Sequence, residues 1–223
     1  MKFAAFETST EWCSVALWLD GEIAGVEERV GQGHSERVLP MLEELFKLKD
    51  IAAPQLDAVA FGAGPGSFTG LRIACGVAQG LAFARGLPAI GVSTLESLAE
   101  ESGAARVVAC LDARMHEVYY AALERIEGSS GSRWREVIPA RCAAPAQLPK
   151  PPGEDWFGCG NGFAACGSLG LARVNPDIHP SAISVARLAA PRLAAREGVD
   201  AAQAVPVYVR DKVALTEAER AAG

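Results

Sequence analysis

Over the first hundred residues, the pattern of apolar and polar positions is first typical of β-strands. It then alternates between segments with helical spacing and short apolar runs. Residues 3–6 form an apolar run typical of a buried strand. Residues 13–19 and 22–28 flank Asp20-Gly21, a turn signal that predicts a β-hairpin. Later segments have helical spacing and are separated by short apolar runs. They predict helices over 35–49, 68–85 and 94–101 and strands over 57–61 and 89–92.

Three strands followed by alternating helices and strands is the plan of a ribonuclease-H-like subdomain, the unit that is repeated in actin-like ATPases. A second, weaker copy follows. It has predicted strands over 106–112, 117–125, 134–138 and 156–158, a polar turn at 128–133, a proline-rich loop at 145–155 and a helix over 183–197. We therefore expect an α/β fold with two such subdomains, residues 1–103 and 104–223, each with a mixed central sheet. The tail after residue 210 is expected to be poorly ordered.

The composition argues against direct binding of nucleic acid and against a membrane location. The net charge of −6 disfavours direct binding of RNA, because affinity for a phosphate backbone depends on Lys and Arg side chains. The six cysteines include no CxxC pair and are expected to be reduced thiols. We find no signal peptide, and no apolar run reaches the roughly 18 residues that a membrane helix needs. A cytoplasmic protein without membrane contact is expected.

Two of the predicted helices carry more apolar surface than one core requires. Between Ile73 and Ala84 the only polar side chain is Gln79, and small residues recur along this helix. A helix that is apolar on all sides is expected to be buried on all sides, either within its own subdomain or against another chain. The helix over 35–49 spreads its apolar residues over about half of its circumference, against the ~100° that one core requires. Both explanations stay open from these patterns.

A glycine-rich turn, GPGSFTGLR at residues 64–72, opens one of these helices. Its glycines allow close approach of backbone to a ligand, so it is either an anion cradle or a plain tight turn capped by Ser67 or Thr69. It lacks the GK[ST] of a Walker loop. The loop after the first strand can add backbone and hydroxyl groups. The candidate anion or nucleotide contacts are Glu7, Thr8, Ser9, Gly64, Gly66, Ser67, Thr69 and Gly70.

Charged residues are densest between residues 112 and 117. Asp112, Arg114 and Glu117 form either an acid–base or anion-binding cluster or a solvated turn between two strands, and the pattern assigns them no role. The histidines show no metal-ligand spacing, so no metal site is predicted, and His34 is interpreted as the residue that starts a helix.

Several stretches together resemble the TsaB (YeaZ) family. They are Glu7-Thr8-Ser9-Thr10, HSERVLP at 34–40, GPGSFTGLR at 64–72, GVSTLESL at 91–98, DARMHEVYYA at 112–121 and PVYVR at 206–210. The resemblance is dense over the first subdomain and sparse over the second. It implies two actin-like subdomains and a subunit that pairs with TsaD. This catalytic relative transfers a threonylcarbamoyl group to the adenosine at position 37 of tRNAs that read codons starting with A.

The resemblance also implies further partners and an interface. The ATPase TsaE joins the assembly, the chain forms a homodimer when alone, and tRNA is reached only through the complex. No resident cofactor is implied, and ATP or ADP would lodge only at the interface of the assembled complex. The two helices described above form the docking face in this family. The expected interface residues are therefore His34, Val38, Leu39, Leu42, Leu45, Phe46, Arg72, Ile73, Val77 and Leu81.

One departure separates the chain from its catalytic relative. TsaD carries a metal-binding HxxxH motif that begins three residues after the glycine matching Gly91. Thr94 and Leu98 stand at the two histidine positions here, and neither side chain replaces an imidazole ligand. The resemblance therefore implies a protein with no catalytic residue and no metal. The alternative is an actin-like phosphotransferase or peptidase acting on its own, for which Glu7 and Asp112 are the candidate carboxylates.

Overall fold

The computed structural model describes residues 1–128 and 131–210, and in these it contains ten strands and five α-helices. The strands are β1 Lys2–Glu7, β2 Trp12–Leu19, β3 Glu22–Arg29, β4 Ala58–Gly64, β5 Ala89–Ser93, β6 Arg106–Asp112, β7 Val118–Gly128, β8 Gly131–Ala143, β9 Phe157–Cys159 and β10 Arg173–Asn175. The helices are α1 His34–Leu48, α2 Phe68–Arg85, α3 Thr94–Ser102, α4 Phe163–Cys166 and α5 Ala182–Ala194. Short 3-10 turns lie at Ala53–Gln55, Pro145–Gln147 and Ala201–Gln203.

The first sheet has the strand order β3-β2-β1-β4-β5. Its first three strands are antiparallel, and the two-residue turn between β2 and β3 has positive φ at both Asp20 and Gly21, as a type I′ hairpin requires. β1, β4 and β5 are parallel, which is why the longer helical connections α1 and α2 lie between them in the chain. The predicted mixed sheet is confirmed.

Helices cover both faces of this sheet, since successive side chains on a strand point to opposite faces. Ala4 and Phe6 of β1 pack with α1 and α2 on one face. Phe3 and Ala5 pack with α3 and α5 on the other. The helices α1 and α2, which carry the surplus of apolar residues, therefore share one side of the first sheet.

The second sheet has the order β10-β9-β6-β7-β8, with β6, β7 and β8 antiparallel and β6, β9 and β10 parallel. α5 follows this sheet in the chain but packs against β1, β2 and β4 of the first sheet. Residues of both sheets, including Val107 and Ala109 of β6, share one apolar cluster with α3 and α5. The two halves are therefore joined by a common core.

The structure extends some predicted elements and adds two. β8 covers Gly131–Ala143 because its pairing with β7 continues beyond the apolar stretch 134–138 that the sequence marks. The short elements α4 and β10 are not predicted, because three or four residues carry too little periodicity to be recognised. Two predictions lie wholly or partly outside the described residues. One is the polar turn at 128–133, of which residues 129–130 are not described, and the other is the poorly ordered tail from residue 211 onwards.

Candidate functional site

α2 begins and ends where the sequence predicts. Ser67 is its N-cap and accepts a hydrogen bond from Gly70 N at 3.4 Å, and Gly86 ends the helix with a φ of 63°. One side of the helix packs against the first sheet through Leu71, Ala74, Cys75, Ala78 and Ala82. The opposite side is uncovered. The explanation that α2 is wholly buried within its own subdomain is therefore wrong.

The uncovered side of α2 carries small and apolar residues. Arg72, Gly76, Gly80 and Phe83 are exposed there, and we call these four residues the outer stripe. A Cβ atom added at Gly76 or Gly80 would meet no neighbouring atom within 4 Å, and Phe83 is 81% exposed. Three predicted interface residues along one border of the stripe are partly buried: Ile73, Val77 and Leu81. The stripe is a surface that a second helix could approach closely.

The predicted interface residues on α1 fall into two groups, those that are buried within the chain and those that are not. Four of them are buried in the chain itself: His34, Val38, Leu42 and Leu45. Their spacing places them on one helix face, and that face packs against the first sheet. His34 also has its Nε2 atom 2.9 Å from the Thr10 carbonyl oxygen. The structure thus corrects the predicted interface, because these four side chains present no surface to a partner. Leu39 is exposed, and Phe46 is partly buried.

The glycine-rich turn packs against the segment that follows β1. Ser67 N donates a hydrogen bond to the Ser9 carbonyl oxygen, and Thr8 Oγ1 donates one to the Gly70 carbonyl oxygen, both at 2.7 Å. A Cβ atom at Gly66 would lie 2.5 Å from the Ser9 Cβ atom. The glycines therefore admit the chain's own backbone. That backbone occupies much of the space that an anion cradle would use.

Glu7, the last residue of β1, is sealed beneath this turn. Its Oε1 atom accepts a hydrogen bond from Ser9 N at 2.7 Å, while Oε2 has no hydrogen-bond partner among the described residues. Burial raises the pKa of the Glu7 carboxyl, against the smaller opposing effect of the adjacent Ser9, Thr8 and Thr94 groups. Because the carboxyl is closed off from solvent, it is not placed to contact a nucleotide or to act as a general base.

A cleft of about 490 Å³ lies between the two halves at the amino end of α2. This volume is within the range of small-molecule sites. Its walls bring together residues from the two predicted sets, namely Ser9, Ser67, Thr69, Asp112 and Arg114, with Arg210. Glu11, Asp112, Arg114 and Arg210 all line the cleft, so acidic and basic side chains are balanced and no strong attraction for an anion results.

The charged residues between β6 and β7 form two units. Arg114 donates to the Asp112 carboxylate from its backbone N at 2.7 Å and from Nη1 at 3.1 Å, within an exposed turn. Glu117 is engaged elsewhere, because its Oε2 atom accepts a hydrogen bond from Arg210 Nη2 at 2.6 Å. The arrangement is a solvated turn beside an ion pair, and it does not converge on one reacting atom.

Residues 205–210 connect the two halves, a role that the sequence patterns do not reveal. Val207 N donates to a carbonyl oxygen of β4 at 2.7 Å. The Tyr208 hydroxyl accepts a hydrogen bond from Arg72 Nε at 3.1 Å, and Arg210 Nη2 donates to the backbone after β6 at 2.9 Å. These residues belong to the PVYVR stretch, and in the sequence only the family resemblance indicates that this stretch matters.

Among the described residues, no group of three or more His, Cys, Asp or Glu side chains lies close enough to hold a metal ion. Thr94 and Leu98, at the positions of the HxxxH motif, are both fully buried. No helix in the described part of the chain is both long and apolar enough to span a membrane.

Two mixed sheets, with helices on both faces of the first, define a ribonuclease-H-like, actin-like α/β protein, as the sequence predicts. The solved structure of YeaZ from Pseudomonas aeruginosa is similar at a TM-score of 0.85 and 39% identity, over 93% of this chain and 99% of that one. A second structure from that organism, described as similar to peptidase YEAZ, matches at the same TM-score and 38% identity, over 94% of this chain and 99% of that one.

Curated relatives agree with the structural neighbours. The "tRNA threonylcarbamoyladenosine biosynthesis protein TsaB" of Haemophilus influenzae is 37% identical over 94% of this chain and 93% of its own length. The protein of the same name from Escherichia coli is 37% identical over 96% of both chains. A family model described as "TsaD: tRNA N6-adenosine threonylcarbamoyltransferase" matches residues 26–216. The chain belongs to the TsaB (YeaZ) family, and it is therefore a protein of tRNA threonylcarbamoyladenosine biosynthesis.

Proposed function

We propose that this chain is a non-catalytic cytoplasmic subunit that pairs with a TsaD-type transferase and assembles with the ATPase TsaE. The transferase, not this chain, then modifies the adenosine at position 37 of tRNAs that read codons starting with A. The observation that carries the proposal is the outer stripe of α2, where Phe83 is 81% exposed beside two uncovered glycines. An exposed apolar surface of this kind is typical of a docking site.

The chemistry of the stripe fits a helix from another subunit. Gly76 and Gly80 lie one helical turn apart and carry no side chain, so a second backbone could come close along this line. Phe83 supplies an aromatic anchor at one end of the line, and Arg72 supplies a charge at the other. Aromatic and arginine side chains dominate the binding energy of many protein interfaces.

The same surface could serve self-pairing. A homodimer uses one patch on both subunits, so a stripe with glycines at its centre can pack against its own copy. We propose that the isolated chain pairs in this way and that TsaD competes for the same face. ATP or ADP would then bind only where the assembled subunits meet, and tRNA would be reached only through the complex.

The proposal of a non-catalytic role is supported by the surroundings of the candidate carboxyl groups and of the two positions that match the HxxxH motif. Glu7 is sealed from solvent, and buried Thr94 and Leu98 stand where the catalytic relative has metal-binding histidines. Asp112 bonds to Arg114 in an exposed turn. None of these carboxyl or hydroxyl groups is arranged with a base or a metal ligand set, which phosphoryl transfer and metal-dependent hydrolysis need.

The docking face is tested by the substitution Phe83→Glu. A charge in place of the aromatic anchor of an apolar contact is expected to weaken pairing with a TsaD-type partner by about 2 kcal/mol or more, roughly thirty-fold in Kd. The thermal midpoint of the isolated variant should stay within a few degrees of the wild type, since the side chain contacts solvent. Affinity is measured by titration calorimetry. Ile126→Glu, at an exposed position of β7 in the second sheet, is the matched control and should bind normally.

The proposal fails if Phe83→Glu and Ile126→Glu bind the partner equally well. A separate assay measures threonylcarbamoyladenosine in tRNA by mass spectrometry. The chain alone is expected to modify no tRNA, whereas its addition to the transferase and the ATPase should be required for product. Calorimetry with ATP and magnesium on the isolated chain tests the alternative, since micromolar binding with turnover would show an independent enzyme.

A further inference from the structure

Two cysteines from distant parts of the chain meet where α4 packs against β6, the central strand of the second sheet. Cys110 lies in β6, and Cys166 is the last residue of the one-turn helix α4. Their sulfur atoms are 3.8 Å apart, within reach of an S–H···S hydrogen bond. Cys110 is fully buried, whereas Cys166 is partly exposed to solvent. One thiol of the pair is therefore open to a small reagent and the other is protected behind it.

The backbone between the two cysteines holds them in place. Gly162, just before α4, donates its N–H to the Cys110 carbonyl oxygen at 3.1 Å. A Cβ atom at this glycine would lie only 2.6 Å from the Cys110 sulfur, so a side chain would push α4 away. Gly167 follows Cys166 with a φ of 62° and ends the helix. A single turn of helix between two glycines can adjust locally when the sulfurs approach the ~2.05 Å of a disulfide.

The two thiols differ in acidity. The hydrogen bond from Cys110 lowers the pKa of Cys166, because a donated proton stabilises a thiolate. The same hydrogen bond, together with burial, raises the pKa of Cys110. Thiolates rather than thiols react with oxidants, so Cys166 is the attacking group and Cys110 the resolving group.

We propose that Cys110 and Cys166 form a dithiol site that hydroperoxides oxidise reversibly to a disulfide. In the first step the Cys166 thiolate attacks the outer oxygen of the hydroperoxide. The O–O bond breaks, the leaving alkoxide or hydroxide takes a proton from solvent to become an alcohol or water, and Cys166 becomes a sulfenic acid. In the second step the Cys110 sulfur attacks the Cys166 sulfur, its proton leaves with the departing hydroxide as water, and the S–S bond forms. Each disulfide consumes one hydroperoxide, and a small thiol such as glutathione reverses the reaction.

The cross-link would act on the wall of the cleft. Asn161, two residues before α4, accepts a hydrogen bond from Asp112 N at 2.9 Å and donates one to the Glu11 carboxylate at 3.4 Å. These bonds join the second sheet to the loop after β1. A disulfide at the far end of α4 would fix this connection. Disulfides in reducing compartments are mostly transient and redox-sensing, which is the behaviour expected here.

Peptide mapping of the full chain tests the proposal. The protein is treated with a small excess of hydrogen peroxide, its free thiols are alkylated, and it is digested with trypsin and chymotrypsin without reductant. Cleavage after Arg106 and Arg114 isolates Cys110, and cleavage after Phe163 separates Cys166 from Cys159. The expected product is a linked peptide pair containing Cys110 and Cys166, lighter by two hydrogens than its separate parts. It should disappear after dithiothreitol treatment.

Two variants sharpen the result. In Cys110→Ser the resolving thiol is missing, so Cys166 should accumulate as sulfinic acid. In Cys142→Ser, which removes another partly exposed thiol, the 110–166 link should form as in the wild type. The wild-type map is decisive even if a variant does not fold. Peroxide that oxidises Cys166 without producing the link, or that modifies Cys142 faster than Cys166, would overturn the proposal.

Discussion

Gly66 and Gly70 lie where a side chain would collide with the segment that follows β1, and Gly62 lies where one would collide with the Glu7 carboxylate. The sequence identifies this turn as a place of close approach, but the same glycine pattern serves a bound anion or a neighbouring strand. In this chain the neighbour is internal, and Glu7 is closed beneath it. The residue types could be predicted to matter. The sequence could not predict which group comes close to them, because that depends on chain segments far apart in the sequence.

The buried carboxyl of Glu7 predicts that the stability of the folded chain depends on pH. Burial holds the carboxyl's folded-state pKa above its unfolded value, so the folded state binds more protons between those two values. The free energy of unfolding should therefore fall as pH rises from the ordinary pKa of a glutamate through the raised pKa of the folded state. In Glu7→Gln this fall should be smaller, since the amide does not ionise, and what remains belongs to other groups such as Glu96, whose pKa burial also raises. Urea titrations at pH 4.5 and 8 measure it.

Glu43→Gln, which removes an exposed carboxylate from α1, is the control for loss of a charge. It should retain the pH dependence of the wild type. Identical pH slopes for Glu7→Gln and the wild type would show that the Glu7 carboxyl is not held in a desolvated site.

At the scale of elements, α1 and α2 show what helical periodicity can and cannot decide. Their boundaries agree closely with the prediction, which rests on spacing for α1 and also on the caps Ser67 and Gly86 for α2. The strands β1 to β6 agree as well, except that β4 ends three residues later than predicted. The apolar surplus leaves open whether the extra surface is buried within the chain or uncovered, and the exposed Phe83 shows that part of the surface of α2 is uncovered. Periodicity does not say which part of a wide apolar arc faces the sheet. The predicted interface therefore includes Val38 and Leu42, although both side chains belong to the core.

The two sides of α1 give a second prediction. Leu42 is 3% exposed and packs against the first sheet, so Leu42→Ala should destabilise the chain by about 2–5 kcal/mol. Leu48 is 72% exposed, and Leu48→Ala should change stability by no more than about 0.5 kcal/mol. Chemical denaturation of both variants measures the difference. Equal losses would contradict the assignment of the inner face, and a substitution at Leu42 would in any case be a poor test of docking.

At the scale of the whole molecule, the two halves do not behave as separate units in the packing. α5 returns from the second half to cover the first sheet, and residues 205–210 run from β4 to the turn after β6. Sequence order predicts two consecutive copies of one plan but not this exchange, because the contacts form between segments about a hundred residues or more apart. The cleft between the halves is therefore framed by both, while the outer stripe of α2 belongs to the first half alone.

The central claim is that another subunit covers the outer stripe of α2. Hydroxyl-radical footprinting of Phe83 tests it most directly, with Ile126 as the exposed reference and at dilutions where light scattering shows the chain to be a monomer. On addition of a TsaD-type partner, labelling of Phe83 should fall several-fold while labelling of Ile126 stays constant. A complex that forms and leaves Phe83 labelled as in the free chain would contradict the account.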